Sequence, residues 1–449
     1  MATNGVNGNH SKGNAAVEDI VIVGGSLGGL FAGVALKYHG YNTIILERTP
    51  QFLLENQGAG IVAGGDTIKF FEKYDRSEKP CAVPSFKRIY LNQKGDIIHE
   101  EVNRQNMTSW DLAYYLLRAN YDRVDSAYLE GGKLPEVRDG DGKVDYRYGC
   151  TVTSLEDEGE YVTVHFKRKL EDDSEVENSL KTKLLIAADG PSSTIRALFE
   201  PEIEREFAGY CVIRGTVPET EASQEALDVF RERFCFFHAP GIQNLTYTIA
   251  GKNGDTTPGN RLLNFVWYAN FPEGSEELEK IMTDKDGRRR RITIPPGMIS
   301  WDAWELLKSK AVERLPPQMA EMAHKSKTPF VQAITDVISP KNLYMSDKVV
   351  LVGDALAGFR PHTVASTSQA AFDVMSVADW LDGKIDRTQF VKQVMQYARL
   401  IQYRGKYIGN RSQFESREVR EYIDDRNMMS IPRWDLEYPE WTQKGLDSI

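Results

Sequence analysis

Apolar residues recur along this chain with two periods, and the places where one gives way to the other divide it. Asp19-Ile-Val-Ile-Val23 is a nearly continuous apolar run of strand length. It stops at Gly24-Gly-Ser-Leu-Gly-Gly29, after which apolar positions follow helical spacing to about Tyr38. His39-Gly40 supplies the helix stop. Asn42-Thr-Ile-Ile-Leu-Glu47 is again a buried strand, so the chain opens with a β-α-β unit. A further helix is predicted after Gly64-Gly65, with Asp66 as N-cap and Ile68, Phe71 and Tyr74 on one face. Strand character returns at Phe86–Leu91 and Ile97–His99 around the turn Lys94-Gly95-Asp96. Ser109 then begins a helix over Trp110–Arg118. Around 149–170 two strands pair across the acidic turn Glu156-Asp-Glu-Gly159.

After Arg196 the pattern changes. Tyr210–Val217, Arg233–His238, Asn244–Ala250 and Leu262–Tyr268 are rich in β-branched and aromatic residues and separated by turn clusters, as in an antiparallel sheet. Period-two alternation puts Leu245, Tyr247 and Ile249 on one strand face, and Asn264, Val266 and Tyr268 on a face of another. A helical stretch over about 300–325 leads to an apolar strand, Val349–Val352. Arg387 to Ile423 is a long helical region, followed by a tail bearing Trp and Pro. No internal repeat occurs.

Composition narrows the partners. The 449 residues carry a formal net charge of -10, and nucleic acid is not expected, because phosphate neutralisation needs clustered Lys and Arg. The one basic run, Arg288-Arg-Arg-Arg291, reads as a solvated turn. Four scattered cysteines offer neither a CxxC pair nor a metal-ligand spacing, so no metal site is expected and a reducing compartment fits. No apolar run approaches the ~20 residues of a membrane span. Residues 1–16 lack a signal core and read as a disordered tail. A cytoplasmic location is the expectation.

Three strand ends carry the chemistry. The first, Gly24-x-Ser26-Leu27-x-Gly29, opens a helix, where backbone N–H groups and small residues receive a pyrophosphate. Glu47, followed by Arg48, ends the second strand about twenty residues on, placed to accept from an adenosine ribose hydroxyl. Leu184–Ala188 stops at Asp189-Gly190 with Arg196 beyond, and Val349–Val352 stops at Gly353-Asp354. The first turn alone suits NAD or FAD; three such turns in this order point to FAD.

The chain resembles the group A flavoprotein monooxygenases, single-component aromatic hydroxylases similar to p-hydroxybenzoate hydroxylase. It is most similar to the 2,6-dihydroxypyridine 3-hydroxylase-like subgroup. The resemblance rests on Gly24–Leu30, Gly58-Ala-Gly-Ile61, Thr108-Ser-Trp-Asp111, Asp189-Gly190, Arg214-Gly215, Asn264–Tyr268, Gly353-Asp354 and Arg360-Pro-His-Thr363, which run in order over most of the chain. It implies an α/β (α+β) fold: a glutathione-reductase-like, three-layer FAD-binding domain with an interleaved antiparallel-sheet substrate domain and a C-terminal helical region. The expected segments are 17–85, 105–205 and 336–385 for the first, 86–104 and 206–335 for the second, and 386–449 for the third. Asp354 would bind the flavin ribitol and Asp189 serve both FAD and the pyridine nucleotide, with Gly60, Gly190, Arg196, Gly353 and Val364 also at the cofactor.

The implied activity is NADPH- or NADH-driven insertion of one oxygen of O2 into an electron-rich aromatic small molecule, through a flavin C4a-hydroperoxide. Arg214, His238, Tyr247, Tyr268 and His362 are the polar groups expected at the substrate, while Phe236, Phe265 and Trp267 read as core. A flavin oxidase, dehydrogenase or halogenase of the same fold, or a non-catalytic flavin-binding module, are the competing readings; the Trp-x-Trp-x-Ile-Pro signature of tryptophan-type halogenases is absent. A homodimer stays open. Four positions depart from the family pattern: Gln57 and Trp110 stand where arginines are usual, Ala357 replaces a histidine, and Pro361–Thr367 contains no glycine.

Overall fold

Two sheets organise the chain in the computed structural model, which describes residues 17–50 and 60–429. The expected tail over 1–16, the segment after 429, and Gln57 and Gly58 lie outside the described residues. The first sheet has eight strands. Its centre is parallel: Val17–Val23 lies between Thr43–Leu46 and Glu175–Ala187, with Val349–Leu351 beyond. Strands covered on both faces need apolar side chains throughout, which is why these read as unbroken runs. The helices Leu27–Tyr38, Trp110–Asp122 and Ser366–Leu381 pack against this sheet and share its core. Cys150–Asp157 and Val162–Lys169 form the hairpin predicted around 149–170.

The second sheet has ten strands. Glu206–Pro218, Leu262–Asn270, Ile242–Ile249 and Arg233–Ala239 form its antiparallel centre, flanked by Phe330–Ile338 on one side and Val83–Leu91 and Ile97–Ser109 on the other. Gly60–Ala63 pairs with Ile97–Ser109, Gly60 opposite Ser109, so the chain crosses to this sheet near residue 60 rather than 86. The strands around 83–109 are also longer than alternation alone marked. The predicted helix at 300–325 is two, Trp301–Arg314 and Pro317–Lys325, because a proline terminates one and starts the next. Both cover the outer face of this sheet.

Two local expectations are corrected. Asp66 lies inside the first turn of Gly65–Tyr74, whose N-cap is Gly64. The Arg288–Arg291 run is not merely solvated: Arg289, Arg290 and Arg291 pair with Glu279, Asp284 and Glu204. Finally, Arg387–Phe414 runs 28 residues past both sheets, and Val419–Met429 folds back so that Ile423 joins the core on the inner face of the second sheet. Among the described residues no helix is long and apolar enough to cross a membrane.

Candidate active site

The first turn is tight for steric reasons. Gly24 sits at φ +100°, and a Cβ there would lie 2.5 Å from the Ala188 carbonyl oxygen; one at Gly29 would strike the Gly24 carbonyl. The helix behind the turn begins with Ser26 as N-cap, whose hydroxyl makes no capping hydrogen bond and is available to a ligand. Glu47 is buried and accepts from Gly25 N and Thr49 N, each at 2.7 Å, while the Tyr146 hydroxyl donates to the Gly25 carbonyl at 2.8 Å. Its first task is to hold the turn. Arg48 is exposed.

The second turn is held by its own helix. Ser193 Oγ donates to Asp189 at 2.5 Å, and Thr194 N and Ile195 N donate to the other oxygen. Burial raises the pKa of this carboxyl, offset by those bonds. Arg196 is buried and donates to the carbonyls of Pro191 and Ala355, at 2.6 and 2.8 Å. It thereby ties the second turn to the third. In the third turn Gly353 N donates to buried Asp373 and the Gly353 carbonyl accepts from Gln369. Asp354 makes no hydrogen bond among the described residues, and burial pushes its pKa up to about 6 despite the nearby Arg205.

A cavity of about 440 Å³ opens where the parallel strands end, between the two sheets. On one side it is lined by Ser26, Leu27, Gly28, Gly190, Asp354 and the start of the helix Ser366–Leu381; on the other by Arg214, Phe234, Gln243, Leu245, Tyr247, Val266 and Tyr268. Gly60, Trp110, His362 and Val364 also line it. The family model described as FAD binding domain-like matches residues 207–336, which form most of the second wall. Over 362 residues the chain is 26% identical to 2,6-dihydroxypyridine 3-monooxygenase of Paenarthrobacter nicotinovorans, spanning 81% of this chain and 82% of that protein. It is 24% identical over 372 residues to 6-hydroxynicotinate 3-monooxygenase of Pseudomonas fluorescens, spanning 79% and 80%. The fold is that of 2,6-dihydroxypyridine-3-hydroxylase from Arthrobacter nicotinovorans, with TM-score 0.75, 24% identity and coverage of 90% and 95%. The chain is thus similar, over about four fifths of its length, to FAD-dependent aromatic monooxygenases.

The residues present in this monooxygenase fit FAD. A helix N-terminus with an unused serine hydroxyl faces the cavity, and Asp354, a half-buried carboxylate with no hydrogen bond among the described residues, lines the same side. Of the expected cofactor residues, Ser26, Leu27, Gly60, Gly190, Asp354 and Val364 line the cavity. Gly24, Gly29, Glu47, Asp189, Arg196 and Gly353 instead shape the turns behind it. Trp110 lines it too, stacked on Tyr114 with centroids 4.8 Å apart, at the start of a helix capped by Ser109.

Of the expected substrate residues, four line the cavity. Arg214 donates to the Gly60 carbonyl and lies over the Phe330 ring. Tyr247 and Tyr268 are buried and their pKa values are raised by burial, with Arg214 opposing. His362 is fixed by both nitrogens: Nδ1 lies 2.6 Å from Gln243 Oε1 and Nε2 lies 2.7 Å from the Tyr210 hydroxyl. Burial, and then Arg426, Arg360 and His238, hold it well below an ordinary histidine pKa. His238 is the correction. It stacks on Tyr422 at 4.3 Å, away from the cavity, and burial and Arg426 lower its pKa to about 3. Sequence reasoning missed Gln243 and Arg205. Gln243 is two and four residues before Leu245 and Tyr247 on the same strand face, so alternation extended backward finds it.

Proposed function

We propose that this monooxygenase uses NADH or NADPH to insert one oxygen atom of O2 into an electron-rich aromatic or heteroaromatic ring of the hydroxypyridine or phenol type. One observation carries the reading: nucleotide-binding turns and a polar, aromatic-lined sheet face form opposite walls of a single cavity. The relatives' names, which specify a dihydroxypyridine and a hydroxynicotinate, support the ring class.

In this reading Ser26 and the first-turn N–H groups receive the FAD pyrophosphate, and Asp354 accepts from the ribitol chain. Bound reduced FAD supplies the activation of O2. Arg214, Tyr247, Tyr268 and Gln243 orient the ring, while Phe234, Leu245 and Val266 exclude water around it. The first sheet thus serves the cofactor and the second the substrate. With no second glycine-rich β-α-β unit in the sequence, the pyridine nucleotide docks transiently across the two.

The test is a steady-state assay of purified, FAD-loaded enzyme with 2,6-dihydroxypyridine and 6-hydroxynicotinate. Expected are ring-stimulated NAD(P)H oxidation and a product one oxygen atom heavier. Oxidation of the ring without any pyridine nucleotide would overturn the proposal in favour of an oxidase.

A further inference from the structure

A second cavity, of about 370 Å³, lies at the outer edge of the first sheet. It opens between the loop leading into the strand Leu343–Tyr344 and the first turns of the long helix Arg387–Phe414. It shares no lining residue with the cavity between the sheets. Pro340, Leu343, Val391 and Met395 give it an apolar lining, and Lys341, Arg387, Lys392 and Arg399 give it positive charge. Among the described residues no Asp or Glu lines it. Helical spacing builds the charged side: Lys392, Gln396 and Arg399 stand at i, i+4 and i+7, so they share one face, with Val391 and Met395 beside them.

This charge is uncompensated on a chain whose net charge is -10. Neighbouring cations are paired. Lys384 meets Asp379 and Asp382, and on the long helix itself Arg387 meets Asp347 while Arg411 meets Asp425 and Glu415. Lys341, Lys392 and Arg399 meet no carboxylate among the described residues. A solvated basic face would account for exposed lysines and arginines, but not for Asn342 among them. Asn342 is 1% exposed and lines the cavity, and neither its Nδ2 nor its Oδ1 has a hydrogen-bond partner. The sheet fixes where it stands, because its carbonyl accepts from Leu351 N at 2.9 Å. A buried amide left unpartnered costs stability unless something else pairs with it.

We propose that this cavity binds a small amphipathic organic anion, with a carboxylate or phosphate head on an apolar body. Lys341, Lys392 and Arg399 hold the head, Asn342 Nδ2 donates to it, and the apolar body covers Leu343, Val391 and Met395. The site also bears on the cofactor side of the molecule. Leu343 pairs with Val350 and Asn342 bonds to Leu351, in the strand that runs into Gly353-Asp354, so an occupant braces the third turn from behind.

Equilibrium dialysis of the FAD-loaded enzyme against octanoate, octyl phosphate and octanol tests it. Both anions are expected to bind at one per chain, at least about tenfold tighter than octanol, and to loosen as salt rises. Lys392→Gln combined with Arg399→Gln is expected to weaken anion binding about a hundredfold. Asn342→Leu is expected to weaken it about tenfold without lowering the melting temperature of the anion-free protein, since leucine removes an unpartnered amide. Binding of neither anion, equal binding of octanol, or anion binding that these variants leave unchanged overturns the inference. Anion binding lost in Arg214→Leu overturns it too, by placing the anion in the cavity between the sheets. So does a lower melting temperature for Asn342→Leu, which would show the amide already partnered in the empty protein.

Discussion

Val364 sits at φ +51°, in the left-handed region that β-branched residues avoid. Such a conformation costs of order 1–3 kcal/mol, more than the roughly 0.5–1 kcal/mol entropic cost of a glycine. Val364→Gly is therefore expected to stabilise the protein by about 1 kcal/mol, read as a higher urea midpoint. Asp354 is the other decisive residue. Asp354→Ala is expected to yield largely flavin-free protein, and normal visible flavin absorbance after purification would contradict its ribitol role. Its pKa is raised from 3.8 to about 6, so the flavin-free folded state holds this proton more tightly than the unfolded chain. Stability then falls as pH rises from about 4 through 6, by at most about 3 kcal/mol. Asp354→Asn should flatten that part of the melting-temperature profile of the flavin-free protein.

At the level of elements, the opening β-α-β unit was legible because buried parallel strands leave continuous apolar runs and the turn between them tolerates only small residues. The sheet strands were legible as strands, but their ends were not. Placing one start at Asn244 instead of Ile242 concealed Gln243. His238 went astray for a different reason. Phe234 lines the cavity, and His238, four residues along the same face, would follow it there. Instead the helix Val419–Met429 covers that end of the strand, with Tyr422 on His238 and Ile423 in the core. Only the folded chain brings residues nearly two hundred positions apart together. Ile423→Ala is expected to cost about 2–4 kcal/mol and to make this helix the first site of limited proteolysis; unchanged cleavage would show that it docks by other contacts.

Across the whole molecule, two arginines join what the sequence keeps distant. Arg196 links the second and third turns, and Arg360 links Asp336 on the second sheet to Asn410 on the long helix and to Tyr210 beside the cavity. Arg360→Leu would leave Asp336 buried and unpaired, so a loss of about 3–5 kcal/mol is expected in denaturant unfolding; a smaller effect would mean that water reaches Asp336. The sequence by itself determined the cofactor and the fold class, because apolar periodicity and three glycine-acid strand ends are local and ordered along the chain. The tertiary structure alone decided which polar side chains line the cavity, the contacts of His362 with Tyr210 and Gln243, and the burial of His238. Those follow from strand register and from a helix returning over the sheet, which no local pattern encodes.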